Sequence, residues 1–366
     1  MKLKHLMTCL FIAMATTSCI QDEAANTEAD ILTCQVPGIH LTTEPIVQNQ
    51  EITIIVNKLT DLTHIAPQFT LTPGASINPV SGTDRNFNNA TQSLIYTVTA
   101  ADSQWSKNYI VRIVNSEMTS VYNFEDVSQK EPYYVFAEKQ DGVVSMQWAS
   151  GNSGYAITGM AKNENEYPTL QSPDGKTGKC LKLVTRSTGS FGAGLLRPMR
   201  IAAGNLFIGK FDILSALQDA LKATHLGLPF YNEPTYLTGY YKYKSGEQYT
   251  TADGAVVEGK RDLFDIFALF YETDEKVKYL DGTNNFTSPN LISVAHITGA
   301  KETTDNRWAE FHIPFITKPG KAVDQKKLKA GKYNITIVFA ASVQGDRFNG
   351  SVGSTLMIDE VQLHSK

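Results

Sequence analysis

The chain has 366 residues, of which 42% are hydrophobic and 19% charged, and its formal net charge is −4. This composition is typical of a globular protein, and the length suits about two domains of roughly 100–200 residues each. Lysine and arginine form no basic block. Nucleic acid is therefore excluded as an expected partner, because phosphate binding requires clustered cations.

The N-terminus has the organisation of a secretory signal peptide. Lys2 and Lys4 precede an apolar stretch from Leu6 to Thr17 that is too short to span a bilayer, and small residues lead to Cys19. A cysteine at this point resembles the bacterial lipobox, in which the sulfur is acylated and cleavage falls just before the cysteine. We therefore predict a signal peptide over residues 1–18, lipidation of Cys19 and an exported, lipid-anchored protein. An ordinary signal peptide with an incidental cysteine is the alternative.

Residues 19–30 are predicted to form an acidic tether. The segment from Gln21 to Asp30 is polar and acidic and has little to bury. Acidic residues just after a lipidated cysteine resemble the signal that sends Bacteroidetes lipoproteins to the outer face of the outer membrane. The resemblance implies an outer-membrane protein exposed at the cell surface, with a plain solubilising spacer as the alternative.

Residues 31–115 show the period-two alternation that is typical of β-strands. We predict strands at 52–56, 69–72, 94–100 and 109–114, separated by turns rich in Pro, Gly and Asn. Short strands without a helical period favour an all-β sandwich. The sequences at 73–82, 96–100 and 107–113 resemble an immunoglobulin-like module found at the front of Bacteroidetes surface lipoproteins, which implies a spacer.

Residues 120–366 are predicted to form a larger jelly-roll β-sandwich with one inserted helix. The helix over 212–224 is indicated by apolar residues at helical spacing, by Asp212 as a cap and by Gly227 beyond its end. Many long strands with a single helix favour a jelly roll. The predicted strands cover 143–148, 180–185, 240–243, 263–271, 309–314, 333–340 and 355–363.

The most specific motifs lie at the two ends of this second unit. It opens with Asn123-Phe124-Glu125 and closes with a last strand that contains Ile358-Asp359-Glu360-Val361. Together with the sequences at 203–211, 227–230, 237–243 and 311–315, these motifs resemble the putative carbohydrate metabolism domain of Bacteroidetes, which is related to jelly-roll carbohydrate-binding modules. The resemblance covers residues 121–365. It implies a polysaccharide or oligosaccharide as partner and a role of the polysaccharide-utilisation type.

The resemblance also implies a structural calcium ion. In related modules this ion links the first and last strands, and the matching positions here are Glu125 and Asp359. Calcium takes several hard oxygen ligands, among them carboxylates. In the alternative, one carboxylate faces solvent and the other accepts backbone hydrogen bonds. No other cofactor is expected.

Aromatic side chains are the candidate ligand-binding residues, because sugar rings stack on flat side chains through their C–H faces. The candidates are Trp148, Trp308, Tyr240, Tyr241 and Tyr243. Since side chains alternate along a strand, Tyr241 and Tyr243 share one face and Tyr240 lies on the other. At least one of these faces is expected to be core.

Glycoside hydrolysis needs two carboxylates that flank the scissile bond. Spacing along the chain does not show which acids face each other across a sandwich, so no catalytic pair is nominated. The Gly204–Lys210 spacing of a phosphate-binding loop is followed by Phe211 instead of Ser or Thr, so no nucleotide is expected. The acids on or near predicted strands are Asp262, Asp265, Glu272, Asp346, Asp359 and Glu360.

Three functions stay open. The leading hypothesis is a non-catalytic carbohydrate-binding or glycan-handling surface lipoprotein, the second is a glycoside hydrolase on the jelly roll, and the third is a structural or adhesive protein. A cleft with two carboxylates about 5–10 Å apart would favour the enzyme. A shallow aromatic patch without such a pair would favour binding, and an exposed, unpaired strand edge would favour the structural role.

Overall fold

The computed structural model describes residues 27–39, 41, 44–56, 60–115, 117–140, 142–191 and 199–366. The predicted signal peptide, Cys19 and most of the tether lie outside the described residues. Within these ranges three short α-helices occur, α1 (Asn152–Ala156), α2 (Ile213–Gln218) and α3 (Gln325–Lys329). The strands, in chain order, are β1 (Ile31–Gln35), β2 (Ile46–Gln48), β3 (Glu51–Val56), β4 (Gln68–Leu71), β5 (Ser76–Asn78), β6 (Ser93–Thr99), β7 (Ser106–Asn115), β8 (Val121–Tyr122), β9 (Val127–Gln129), β10 (Val135–Gln140), β11 (Val143–Gln147), β12 (Thr169–Ser172), β13 (Cys180–Val184), β14 (Arg186–Ser187), β15 (Ile201–Ala202), β16 (Asn205–Phe207), β17 (Gly209–Phe211), β18 (Thr224–Leu226), β19 (Leu228–Pro229), β20 (Pro234–Lys244), β21 (Tyr249–Thr250), β22 (Asp265–Glu272), β23 (Leu291–His296), β24 (Ala309–Pro314), β25 (Ile316–Thr317), β26 (Tyr333–Ala340), β27 (Gly350–Ser351) and β28 (Thr355–Ser365).

The N-terminal sandwich packs the antiparallel pair β1–β4 against a five-stranded sheet in the order β2-β3-β7-β6-β5, in which β3 and β7 run parallel. Side chains of β6 and β7 alternate between buried and more exposed positions as the sequence predicts, whereas those of β3 are buried from Ile52 to Val56. The inward side chains form one core. Ile54, Val98, Tyr109 and Val111 from the larger sheet meet Cys34 from β1 there. Burial raises the pKa of the Cys34 thiol to about 12, so this cysteine serves as a small apolar side chain.

The C-terminal sandwich consists of two six-stranded sheets. The open sheet has the order β12-β13-β28-β20-β24, with β8 beside β28. The covered sheet has the order β16-β26-β22-β23-β25, with β19 beside β26. Tyr122 lies opposite Val361 in the pairing of β8 with β28, so the two ends of this unit meet in the open sheet.

The core between these two sheets takes alternate side chains from each. Tyr241 and Tyr243 of β20 point into it and meet Ile335 and Phe339 of β26. The strand β22 differs, because Leu269 and its neighbours on the outer face of the covered sheet are buried in a second apolar cluster. Burial on both faces explains why the sequence of β22 reads as a continuous apolar run and does not alternate.

The helix predicted over 212–224 is shorter in the structure. Asp212 caps it as predicted, since its carboxylate accepts hydrogen bonds from the backbone N–H groups of Leu214 and Ser215, but α2 ends at Gln218. Asp219 is extended, with φ −151°, and caps a 3-10 helix over Ala220–Lys222. The prediction of two all-β sandwiches is confirmed. The inserted helix occurs where it was predicted but is shorter, and two further short helices, α1 and α3, accompany it. In the described ranges no helix combines the length and the hydropathy that a membrane crossing requires.

Candidate functional site

A pocket of about 260 Å³ lies on the outer surface of the covered sheet. Its lining combines Phe267 of β22 and Val338 of β26 with side chains from α1, α2, the 3-10 helix over 220–222 and the loops at 282–286 and 342–348. Two carboxylates, Asp265 and Asp346, also line it. We call it the acid pocket.

Strand pairing brings these two acids together from distant parts of the chain. Asp265 is the first residue of β22 and lies opposite Ala340, the last residue of the antiparallel neighbour β26. From Ala340 the chain continues into a 3-10 helix over Gly345–Arg347 that carries Asp346. The start of one strand and the end of the next therefore place both carboxylates in the same pocket.

Asp265 has a histidine partner. One carboxylate oxygen, Oδ1, lies 2.8 Å from His296 Nε2, and the Asp265 side chain is 11% exposed. This hydrogen bond raises the pKa of His296 above its ordinary value. The imidazole ring also stacks on Phe286, with ring centroids 5.1 Å apart. The hydrogen bond to His296 therefore fixes the orientation of the Asp265 carboxylate.

Asp346 has a different environment. Solvent reaches the residue, yet its carboxyl sits in a concave site with protein atoms around it. This burial raises the pKa of Asp346, and the nearby Asp265 carboxylate raises the pKa further, against a lowering effect of Arg347. Two carboxyls whose surroundings differ in this way can divide the roles of acid and base between them.

Two other acids on or near the predicted strands, Asp262 and Glu272, stabilise the fold through contacts within the protein. Asp262 is fully buried and accepts hydrogen bonds from the hydroxyls of Ser342 at 2.6 Å and Ser354 at 2.7 Å. Glu272 forms an ion pair with Lys327 at 2.6 Å. Neither carboxylate lines the acid pocket.

The carboxylates for which the resemblance implied calcium lie on the open sheet, Asp359 on its central strand β28 and Glu125 in the segment that follows β8. Asp359 Oδ2 accepts hydrogen bonds from the backbone N–H groups of Lys176 at 2.6 Å and Thr177 at 3.1 Å, and Glu125 Oε1 accepts one from Lys179 at 2.8 Å. No cluster of three or more His, Cys, Asp and Glu side chains that could hold a metal occurs in the described part of the chain. Since N–H donors already occupy these oxygens, the residues as placed do not fit a calcium site. The calcium ion stays a prediction of the resemblance alone.

Three of the predicted aromatic residues belong to the core. Trp148, Tyr241 and Tyr243 are 3%, 5% and 2% exposed. The indole of Trp148 donates a hydrogen bond to Glu138 Oε1 at 2.9 Å and packs edge-on against Tyr122. Buried rings offer no face to a sugar, so the prediction that Tyr241 and Tyr243 bind ligand by stacking is corrected. Trp148 also lines the concavity between the two sandwiches, so a role of Trp148 in ligand binding stays a prediction.

The two remaining aromatic candidates, Tyr240 and Trp308, are half-buried outside the core of the sandwich. A lysine ammonium lies over each ring, Lys176 Nζ at 4.0 Å from the Tyr240 centroid and Lys242 Nζ at 4.7 Å from that of Trp308. The prediction that Tyr240 lies on the opposite face of the strand from Tyr241 and Tyr243 is confirmed. A role of Tyr240 and Trp308 in ligand binding stays a prediction.

A second concavity, of about 560 Å³, lies between the two sandwiches. We call it the interdomain cleft. Lys210 Nζ and Glu44 Oε1 approach to 3.9 Å across it, and its lining includes His225 and Tyr279. These two rings stack with centroids 3.8 Å apart, and Tyr279 is 41% exposed, so the pair offers a flat aromatic surface to the cleft.

Sequence reasoning missed His296, Phe286 and the stacked pair of His225 and Tyr279. A single histidine at the end of a strand carries no spacing signal. His225 and Tyr279 are brought together by the bridge between Leu226 and Leu280, which joins segments far apart in the chain. Only the pairing of strands and loops makes these residues neighbours.

Two family models match the chain. The model described as a putative carbohydrate metabolism domain matches residues 123–364, and the model described as SGBP, N-terminal, matches residues 31–113. The acid pocket therefore lies wholly within the first match. No protein among the curated ones matches the chain.

Solved structures are similar to most of the chain. A putative glycoside hydrolase from Bacteroides thetaiotaomicron is 55% identical, covers 94% of this chain and 99% of that chain, and has a TM-score of 0.81. A putative glycoside hydrolase from Bacteroides vulgatus is 45% identical, covers 69% of this chain and 100% of that chain, and has a TM-score of 0.64. TmCBM61 in complex with beta-1,4-galactotriose is 7% identical over 60% of this chain and 87% of that chain, with a TM-score of 0.25, which is too low to support an inference.

Proposed function

Because the chain belongs to the family described as a putative carbohydrate metabolism domain, we propose that it binds carbohydrate in the acid pocket, as an exported glycan-handling protein of the polysaccharide-utilisation type. The observation that carries this proposal is the presence of Asp265 and Asp346 in one pocket of the sandwich that the family model matches. Hydrogen bonds to ionised carboxylates are roughly twice as strong as neutral ones, so such a pair suits sugar hydroxyls.

The fold holds this site rigidly. The strand β22 carries Asp265 at its first position, and its side chains are buried on both faces of the covered sheet. A binding group on a well-packed strand loses little freedom when a ligand arrives, and this preorganisation favours affinity.

Affinity electrophoresis through gels that contain different polysaccharides tests the proposal. The soluble chain after the predicted tether is expected to be retarded by at least one polysaccharide. Asp265→Asn and Asp346→Asn are expected to weaken this retardation at least tenfold, whereas the matched control Glu272→Gln, which changes an ion-paired surface acid, is expected to leave it unchanged.

Two results would overturn the proposal. Absence of retardation across a broad panel of host and dietary polysaccharides would remove the carbohydrate function. Retardation that persists unchanged in both pocket variants would show that carbohydrate binds elsewhere, with the interdomain cleft as the next site to mutate.

Glycoside hydrolysis is the second candidate function, and the differing surroundings of the two carboxyls favour it. In this reaction a protonated Asp346 gives its proton to the glycosidic oxygen as the bond to the anomeric carbon breaks. Asp265, held by His296, either takes the proton of a water that attacks the anomeric carbon or bonds to that carbon itself. In the second route, Asp346 then takes a proton from a water, which displaces Asp265 from the anomeric carbon and completes the hydrolysis. The 55% identical chain is described as a putative glycoside hydrolase, which supports this candidate.

Release of reducing sugar from the retarded samples tests hydrolysis. Asp346→Asn is expected to lower the rate at least 100-fold on natural glycans, with a smaller loss on nitrophenyl glycosides, whose leaving groups need little protonation. Retardation without any sugar release would leave binding as the function and remove hydrolysis.

We also propose that the protein is lipid-anchored at Cys19 and exposed on the outer membrane. The short apolar leader and the acidic residues after the cysteine support this location. Labelled fatty acid is expected in the wild-type protein and absent from Cys19→Ala, and protease treatment of intact cells is expected to degrade the wild-type protein. Membrane retention of an unlabelled protein would contradict the anchor, and full protease protection would contradict surface exposure.

A further inference from the structure

The acid pocket is unusually apolar for a carbohydrate site. At its exposed edge Ile157 and Val343, which are 43% and 44% exposed, accompany the exposed Asp346. Among the described residues no lysine or arginine lines it. Six phenylalanines contribute to its lining, namely Phe191, Phe207, Phe211, Phe267, Phe286 and Phe348.

Most neutral polar side chains of the lining are already engaged within the protein. Asn205 Oδ1 accepts a hydrogen bond from the backbone of Gly151 at 2.9 Å. The Tyr155 hydroxyl donates to the carbonyl of Ser187 at 2.9 Å, and the Thr158 hydroxyl donates to the carbonyl of Tyr155 at 2.7 Å. Asp265 and Asp346 are thus the principal polar groups that face a ligand.

A sugar ring enclosed wholly within the pocket does not suit such a lining, although the two carboxyls suit hydroxyls at its mouth. Hydroxyls surround the ring, and each hydroxyl that is buried without a partner loses its hydrogen bonds to water. Two carboxyls at one pocket satisfy only a few of these hydroxyls, whereas phenylalanine rings attract another apolar, preferably aromatic, group. The volume of about 260 Å³ is below the range typical of drug-sized ligands and suits one small ring system.

We propose that the acid pocket takes the apolar substituent of a sugar, an aryl group joined to the sugar through oxygen, and that Asp265 and Asp346 serve the linking oxygen and the hydroxyls beside it. The inference rests on the proposed carbohydrate function and names its substrate class. The sugar itself then extends from the pocket, where water can satisfy its remaining hydroxyls.

Calorimetric titration with matched pairs of glycosides tests this inference. For each common hexose and pentose, the nitrophenyl glycoside and the methyl glycoside are titrated into the wild-type protein, and the absorbance of released nitrophenolate is followed so that only glycosides that stay intact are compared. At least one nitrophenyl glycoside is expected to bind ten times more tightly than its methyl counterpart. Free nitrophenol, the third probe, is expected to bind more weakly than that glycoside.

Variants at Phe286 locate the effect. Phe286→Ala is expected to reduce the tenfold preference for the nitrophenyl glycoside to about twofold, and Phe286→Leu, which keeps the apolar volume, is expected to retain most of it. Tyr240→Ala removes an aromatic ring from the open sheet and serves as the matched control, with no change in preference. A preference that survives unchanged in Phe286→Ala, with the fold verified by circular dichroism, would overturn the assignment to this pocket.

The outcomes separate this inference from the proposed function. Equal affinity for methyl and nitrophenyl glycosides would overturn the inference and leave carbohydrate binding intact. Retardation by polysaccharide without affinity for any nitrophenyl glycoside would do the same. Free nitrophenol that binds as tightly as every glycoside would overturn both, because the sugar would then contribute nothing.

Discussion

The two outer faces of the C-terminal sandwich use the same residue types for opposite purposes. On the open sheet, Asp359 and Glu125 accept backbone hydrogen bonds and hold a turn in place. On the covered sheet, Asp265 and Asp346 line a pocket. An acid that the protein has already satisfied, as Asp359 is, stabilises the fold, whereas Asp346 faces a pocket, is available to a ligand and costs the fold some stability.

The difference arises from what lies outside each sheet. The outer face of β22 is apolar, and the chain covers it with Phe207, Leu226 and Leu280 from inserted segments. This cover leaves a cavity between the sheet and the insertions. The open sheet is not covered in this way, and lysine ammonium groups lie over Tyr240 and Trp308 instead.

The largest expected effect is on the open sheet. Asp359→Ala leaves the backbone N–H groups of Lys176 and Thr177 without their acceptor, so the free energy of unfolding should fall by about 2–3 kcal/mol. Urea denaturation measures this loss, and Glu360→Gln, at the neighbouring surface ion pair, should cost less than about 1 kcal/mol. Polysaccharide affinity should be unchanged in both. If Asp359→Ala unfolds at the wild-type urea concentration, the structural role given to this carboxylate is wrong.

The aromatic residues of the open sheet provide the next test. Tyr240→Ala and Trp308→Ala each remove a cation–π contact, which should cost about 0.5–1 kcal/mol of stability. Their polysaccharide affinity should stay within about twofold of wild type, because the proposed binding site is the acid pocket; a twofold change is about 0.4 kcal/mol. Loss of affinity in either variant would move the binding site to the open sheet.

Removal of a charge from the acid pocket should stabilise the protein, in contrast to the variants of the open sheet, which should destabilise it. The pKa of Asp346 is raised in the folded protein, so the unfolded chain loses this proton at a lower pH than the folded protein does. Ionisation of Asp346 therefore lowers the free energy of unfolding as pH rises. Asp346→Asn should therefore be more stable than wild type at pH 7, by less than about 1 kcal/mol because solvent reaches the group. The gain should vanish below the ordinary aspartate pKa of about 3.9. A destabilised Asn variant at pH 7 would place Asp346 among the structural acids.

His296 gives a smaller, pH-dependent effect. Its pKa is raised in the folded state by Asp265, so its stabilising contribution is fully present below the ordinary value of about 6.5 and is lost as pH rises through the folded pKa. The wild-type protein should have a larger free energy of unfolding than His296→Asn, and this difference should be about 0.5 kcal/mol larger at pH 5.5 than at pH 8.5. Urea denaturation at the two pH values measures the difference, and the Asp265→Asn background should abolish it.

Chelation should have the smallest effect. The carboxylates at Glu125 and Asp359 are occupied by backbone N–H donors, so EDTA should change the Tm by less than about 1 °C. A fall of several degrees that added calcium reverses would instead establish the calcium ion that the family resemblance implies.

Much of the fold could be read from local patterns. The strand limits at Ala309–Pro314 and Tyr333–Ala340 agree with the sequence prediction, because period-two alternation and apolar runs reflect contacts of each strand with its own sheet. The shared face of Tyr241 and Tyr243 followed from the same rule. The length of α2 could not be predicted in the same way, because Asp219 ends the helix although the apolar pattern continues beyond it.

The sequence alone determined the all-β class, the resemblance of residues 121–365 to a carbohydrate family and the alternation of faces, because these depend on neighbours along the chain. Tertiary structure alone decided that Trp148 is core, that Asp262 is structural and that Asp265 and Asp346 line one pocket. The physical reason is that burial and the partners of a carboxylate are set by segments far away in the chain. No spacing along one strand encodes which residues another strand places opposite it.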